Sequence, residues 1–260
     1  NTVVGAYAFD GSTINAQSNT AVGYAALSAA AVDDNTAIGA RALNVFTGSD
    51  AAAVGSGAAA AATSAVYLTA VGKNAASGLL TGAGNTAIGY QSLMFADGAE
   101  TRNVALGAHA SRFCDGTDDC IAIGYGAMSG SNWTDATGDT TNSTKPSGNS
   151  NIAMGSYALD ALTSGASNVA IGHNALTGIT SGSTNIAIGK DALATSQTNG
   201  DNIAIGHEAL NAVTNGDNTV VGSGAMKFSD SAADNVAIGR NALRGDGTTA
   251  PTGDFNIGVG

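Results

Sequence analysis

Basic side chains are scarce in this chain: 9 Lys and Arg stand against 20 Asp and Glu, a formal net charge of −11. That balance excludes the basic footprint that neutralises nucleic-acid phosphates, and with it docking onto anionic lipid. Aromatic residues make up 5% of the chain and Gly accounts for 37 of 260 positions, so a globular core of large side chains is excluded too. Long apolar runs are missing. The Ala-rich stretch 51–76 is interrupted by Gly55, Gly57, Thr63, Ser64 and Thr69, and nothing approaches the roughly 20 residues a membrane helix needs. Charged residues are only 11%, yet apolar positions recur regularly, which argues against disorder. No nucleophile elbow, phosphate loop, zinc motif or dinucleotide fingerprint is present. The three histidines, His109, His173 and His207, never coincide with a cluster of acid–base partners. The expectation is a protein that is not an enzyme and holds no cofactor or metal.

What the chain does have is a nine-residue word, cleanest at Asn202-Ile203-Ala204-Ile205-Gly206-His207-Glu208-Ala209-Leu210. Its template is Asn, Thr/Ile/Val, Ala, Ile/Val, Gly, two free positions, a small residue and Leu. Fifteen copies run from the first residue to the last, with Gly in every one, for example Gly39, Gly89, Gly172, Gly189 and Gly206. The spacing is near 17, broken by one gap of 31 and one of 21. Self-similarity at this period is the mark of a solenoid stack. The reading is therefore a single repeat array over 1–260 of about fifteen coils, all-β, built as a parallel β-roll. Because the chain opens inside one word and closes inside another, it is expected to be a slice of a longer chain.

Five residues bounded by Asn and Gly are too few for a helix, and the β-branched residues favour a strand. Ile171, Ile188 and Ile205 occupy the fourth position of their words, on the same strand face as the second position, while the intervening Ala points the other way. Apolar residues on both faces imply burial on both. A second strand carrying the small residue and Leu (Leu27, Leu43, Leu93, Leu159, Leu176, Leu193, Leu210 and Leu243) is expected to cover the β-branched face. The Ala face then needs a cover that the repeat does not supply, and further copies of the chain about a threefold axis would supply it. Such an array would be a stiff rod on the order of 70 Å long, at roughly 4.8 Å per rung. The Gly is expected to turn the chain out of the first strand, where positive φ or close backbone approach forbids a Cβ. Asn opens twelve of the words and is replaced by Ala51, Leu68 and Cys120. Stacked asparagines can form an amide ladder, or Asn can simply favour the preceding turn; both readings stay open.

Asn85-Thr86-Ala87-Ile88-Gly89-Tyr90-Gln91-Ser92-Leu93 and Asn19-Thr20-Ala21-Val22-Gly23-Tyr24-Ala25-Ala26-Leu27 resemble the repeats of phage and prophage tail-fibre proteins. They also resemble the Val-Ala-Ile-Gly words in the YadA-like heads of trimeric autotransporter adhesins, a left-handed parallel β-roll. The resemblance covers essentially the whole chain. It implies a homotrimer with two short strands per coil, and a structural fibre segment of a virion that carries or presents receptor-binding regions. Its implied partners are other fibre or baseplate proteins and a host cell-surface receptor, glycan or protein, with no nucleic acid and no membrane insertion. The alternative is the head of a bacterial surface adhesin. The period near 17 favours the fibre set. Left-handed β-helix acyltransferases need three hexapeptides per coil, and this chain has one per period.

Four departures from the repeat stand out. Residues 51–84 hold the weakest words, with Ala59 and Ala76 in the place of Leu. Cys114 and Cys120 flank an Asp-rich loop, 115–119, which lacks a full Ca²⁺ ligand pattern; the two thiols either close it as a disulfide or stay free, with Cys120 packed inside. The long gap carries a loop insertion at 129–150, which insertions in arrays place on the outside. It offers Trp133, Thr134 and Lys145 to a receptor, or else folds Trp133 back as a clasp. His173, Lys190 and His207 share one place in successive words and Asn174, Asp191 and Glu208 the next, so a polar ladder with His–carboxylate contacts is expected on the outer face. Arg244-Gly245-Asp246 spells an integrin-type tripeptide, read as a chance loop.

Overall fold

The fold is read from a computed structural model. It describes residues 1–11, 15–96, 98–114, 116–130, 145–196, 198–212, 215–228, 233–245 and 254–260. Trp133 and Thr134, Asp246 of the tripeptide and most of the 129–150 insertion lie outside the described residues. The chain is an all-β parallel solenoid of about 13 coils, roughly 17 residues apart, with no helix among the described residues. It divides into two compact units, 1–122 and 123–260.

The strands are three residues each. In the first unit they are β1 (Thr2–Val4), β2 (Thr20–Val22), β3 (Thr36–Ile38), β4 (Ala52–Val54), β5 (Thr69–Val71), β6 (Thr86–Ile88) and β7 (Val104–Leu106). β8 (Ile121–Ile123) falls at the division. The second unit has β9 (Ile152–Met154), β10 (Val169–Ile171), β11 (Ile186–Ile188), β12 (Ile203–Ile205), β13 (Thr219–Val221), β14 (Val236–Ile238) and β15 (Ile257–Val259). Within each unit, successive strands pair in parallel and in strict register, Ala on Ala: Ala37 on Ala53 in the first and Ala187 on Ala204 in the second. That register follows from the constant word, because a slip of one residue would turn two β-branched side chains per strand into an interior that mostly holds a single Ala there.

The faces of these strands are the reverse of the sequence expectation. The central Ala points into the coil of its own chain: Ala37, Ala87, Ala170 and Ala204 are 0% exposed. A Cβ added to Gly258, which holds the Ala position in the last word, would lie 2.6 Å from Leu243 Cγ of the preceding word. Ala and Leu of one chain therefore fill the coil between them. The β-branched residues point outward instead. The expected second strand is also absent among the described residues, and the small residue and Leu form a turn.

The physical reason lies in the adjacency of those two residues. Ala175 and Leu176, like Ala192 and Leu193, are both buried, and neighbours in a strand cannot both face inward. The turn achieves it by alternating positive φ: Gly189 at 139°, Asp191 at 54° and Leu193 at 48°. A non-glycine residue in this region costs about 1–2 kcal/mol. Burying Leu returns about 1.5–3 kcal/mol, and the Leu193 N–H still donates to Ala209 O at 3.0 Å on the next coil, so burial wins.

The residue three places beyond that Leu completes the interior, as Phe46, Leu79, Leu162 and Ile179 do, all fully buried. The weak words differ here: Ala76 in the Leu place is followed three places on by the buried Leu79, whereas Ala59 is followed by the buried Ala62.

Asn forms the ladder. In the second unit Asn168, Asn185, Asn202, Asn218, Asn235 and Asn256 each donate the backbone N–H to Oδ1 of the Asn one coil earlier, at 2.8–3.2 Å. The side-chain amide of each donates to that same Oδ1 at 2.9–3.1 Å. These amides are buried from Asn151 to Asn235, so each bond also removes a desolvation penalty of about 1–3 kcal/mol.

Candidate interaction faces

Two columns of side chains follow from the stacking, and each is set by its distance from the repeat Gly. Gly172 has φ of 136°, and a Cβ there would lie 2.5 Å from Gly189 O; Gly206 has φ of 138°, and its Cβ would lie 2.6 Å from the Gly222 carbonyl carbon. The equivalent Gly39, Gly89 and Gly189 share this positive φ. Rungs stack so closely here that no larger residue fits.

Immediately before this seam runs the outward column. Ile38, Val54, Val71, Ile88 and Leu106 in the first unit, and Met154, Ile171, Ile205, Val221 and Ile238 in the second, are 36–45% exposed. Ile188 belongs to the same column and is half-buried. A single exposed Ile needs no explanation, but an unbroken file of them does.

Beyond the seam lies a column of aromatic and charged residues. Tyr7 meets Tyr24 edge-on at 5.7 Å, and Tyr90 meets His109 at 5.2 Å. In the second unit Tyr125 meets Tyr157 at 5.5 Å, and Tyr157 meets His173 at 6.3 Å. The expected polar ladder continues from there. The Asn174 amide donates to Asp191 Oδ1 at 3.0 Å, Lys190 pairs with the same carboxylate at 2.5 Å, and Lys227 pairs with Glu208 at 2.5 Å. His207 Nδ1 lies 3.9 Å from Glu208 Oε2, a contact that is ionic only when the imidazole is protonated. The Lys227 hydrogen bond holds the Glu208 carboxyl below its ordinary value. Burial pushes the Asp191 carboxyl up, but the Lys190 and Asn174 bonds outweigh it and the net direction is down. Acid and base are thus matched within the chain at Lys190 and Asp191 and at Lys227 and Glu208.

The loop bearing Cys114 and Cys120 is the third feature. Both cysteines are buried thiols that are not joined in a disulfide. Burial pushes the Cys114 thiol up to about 12, which leaves it protonated and unreactive. Cys120 takes the Asn place: its N–H continues the ladder by donating to Asn103 Oδ1 at 3.0 Å, but its side chain offers no amide oxygen to the next coil. Among the described residues no group of three or more His, Cys, Asp or Glu is arranged to hold a metal ion.

Sequence reasoning missed two buried charges near this loop. Glu100 is 0% exposed, and its Oε1 accepts the Gly98 and Gly116 N–H groups at 3.1 and 3.0 Å. Arg112 is 4% exposed, with its guanidinium 5.5 and 4.8 Å from the Phe95 and Phe113 ring centres; those rings stack at 4.9 Å. Burial and the neighbouring Arg112 charge lower the His109 pKa. The signal in the sequence was Arg112 directly before Phe113, in the stretch after the Leu place, where other words hold Val45 before Phe46 and Ala161 before Leu162.

Of the three residues assigned to a receptor-contact loop, only Lys145 is described, and it is half-buried next to the buried Pro146. Within each unit the structure therefore stacks the Gly positions into a seam, with the Ile positions of the second unit in a file beside it, and it leaves the cysteines without a disulfide. No model of a known protein family matches this chain, and neither does any curated protein or any solved structure.

Proposed function

We propose that this chain is a structural segment of a trimeric phage tail fibre or related virion appendage, carrying or presenting receptor-binding regions instead of performing catalysis. The observation that supports it most is the outward file of Ile, Val, Leu and Met beside the Gly seam. An apolar strip repeated on rung after rung suits a partner with the same repeat, and a second and third copy of this chain have it by definition. The cover first assigned to the Ala face is thereby transferred to the β-branched face. Rung-to-rung bonding through the continuous Asn ladder of the second unit supports the stiffness that a fibre segment needs. The polar ladder at His173, Lys190 and His207, with its charges matched internally, leaves the apolar file as the face to be covered.

The second reading, a bacterial adhesin head, draws support from the exposed tyrosines. Tyr7, Tyr24, Tyr90 and Tyr125 offer amphipathic rings of the kind enriched at recognition surfaces.

The mass of the assembled species in solution tests the proposal. A trimer has three times the chain mass of 25.1 kDa. Ile205→Glu places a charge in the file, and is expected to dissociate the assembly while circular dichroism stays that of the folded coil. A wild-type chain that sediments as a monomer would sink the proposal.

A further inference from the structure

Asparagine occurs in two chemically different settings in the second unit. Asn202 belongs to the ladder. Its Oδ1 accepts the Asn218 N–H and side-chain amide at 3.2 and 3.1 Å, and its own amide donates to Asn185 Oδ1 and Gly200 O at 3.1 and 3.0 Å. The next residue is the β-branched Ile203, whose N–H donates to Asn218 O at 2.8 Å. Asn199, three residues earlier, is the opposite case. Among the described residues its side-chain amide makes no hydrogen bond, and the N–H of the following Gly200 donates none. Both residues are only half-buried. Gly is required at 200 because a Cβ there would lie 2.6 Å from Ser183 O. Tight stacking of the coils has therefore placed the least hindered backbone nitrogen directly after an unrestrained asparagine amide.

We propose that Asn199 is a site of spontaneous, enzyme-free modification of the main chain. The Gly200 nitrogen attacks Asn199 Cγ, forming the ring C–N bond. The bond from Cγ to the side-chain nitrogen breaks, and ammonia leaves with the proton that the Gly200 nitrogen gives up. The product is a five-membered succinimide. Water then opens the ring at either carbonyl, giving aspartate or a β-linked isoaspartate. One ammonia leaves, one water enters, and nothing is oxidised or reduced. The chain gains one negative charge beside Asp201.

The consequence reaches the ladder. Asn199 O accepts the Asn185 amide at 2.9 Å, and Gly200 O accepts the Asn202 amide at 3.0 Å and the Asp217 N–H at 3.4 Å. An isoaspartyl link routes the main chain through Cβ and Cγ, which lengthens it by one carbon and turns the Asn199 carbonyl into a free carboxylate, so both acceptors lose their register. Asn199 is thus an age-dependent weak point built into the most regular part of the repeat.

The test is to hold the folded chain at mildly alkaline pH and body temperature, and to follow each asparagine by peptide mass mapping and by isoaspartyl methyltransferase labelling. Asn199 is expected to convert more than about tenfold faster than Asn202, because attack at Asn202 first requires its rung to open. Asn199→Gln, checked as folded by circular dichroism, should remove the labelling at this site and leave Asn202 unchanged. In denaturant the ratio between the two sites should shrink towards that set by Gly and Ile alone. Equal rates at Asn199 and Asn202 in the folded chain, or an identical ratio with and without denaturant, would overturn the proposal.

Discussion

The two units run the same repeat with different ladders. In the second, Asn151 to Asn256 occupy seven successive words, and each later rung donates twice to the oxygen of the one before. In the first, the file is interrupted. Asn19, Asn35 and Asn103 pass the backbone bond along, but their amides turn to loop carbonyls such as Val32, Gly48 and Thr117 O. Ala51 still donates its N–H to Asn35 Oδ1 at 3.1 Å and has no amide to offer onward. The N–H groups of Leu68 and Asn85 consequently find no protein acceptor among the described residues. The comparison teaches that the Ala–Leu interior and the Gly seam define the coil, while the Asn ladder reinforces it. The first unit keeps the fold with the ladder broken at Ala51 and Leu68.

That ranking can be broken in order of severity. Gly172→Ala should be the most damaging change, because its Cβ meets a backbone carbonyl oxygen at 2.5 Å in a positive-φ conformation. Strain and overpacking together cost about 2–6 kcal/mol, so thermal unfolding should show the second unit lost well before the first. Asn202→Ala should come next, at about 2–4 kcal/mol, since Asn218 loses two bonds to a buried oxygen. Asn85→Ala in the first unit should cost clearly less in the same denaturant titration, for there the preceding rung already lacks its amide. An equal cost would undo the distinction between the two ladders. Smaller still is Leu68→Asn, which supplies an acceptor for the Asn85 N–H, about 0.5–1.5 kcal/mol, but gives up the burial of a Leu that is 2% exposed, about 1.5–3 kcal/mol, for a net loss of about 1 kcal/mol.

The smallest effect concerns pH. Burial raises the Asp160 carboxyl above its ordinary value of 3.8, although a Thr177 hydrogen bond opposes it. A group raised in the folded state contributes stability that is full below its unfolded value and is lost as pH rises through the folded value. Asp160→Asn should therefore gain stability relative to the parent near neutrality, and the gain should vanish below pH 3.8. A gain that persists in acid would assign the effect to packing instead.

Much of the fold was legible because the repeat leaves few options. The period, the strand at each word, the Gly at each seam and the alternation of Ala with β-branched residues all read directly from residues such as Ile203, Ala204, Ile205 and Gly206. The direction each face points did not. It turns on Ala209 and Leu210 lying side by side in the interior, a pairing that a strand forbids and that the sequence reading nonetheless placed on a second strand. Cys114 and Cys120 were similarly ambiguous, since spacing alone allows either a bond or two packed thiols. Glu100 and Arg112 were invisible as buried charges, because what buries them is the stacking of loops from successive coils.

Composition and periodicity by themselves determined that the chain is a parallel stack of short strands, because Asn, Ala and Gly recurring at an interval near 17 give every coil the same strand in the same register. Tertiary structure decided which side of each strand is inside. Alternating positive φ at residues such as Asp191 and Leu193 turns the chain sharply enough for Leu to reach across to the Ala face. A coil that narrow has room for alanine within, and it leaves isoleucine and valine outside to be covered.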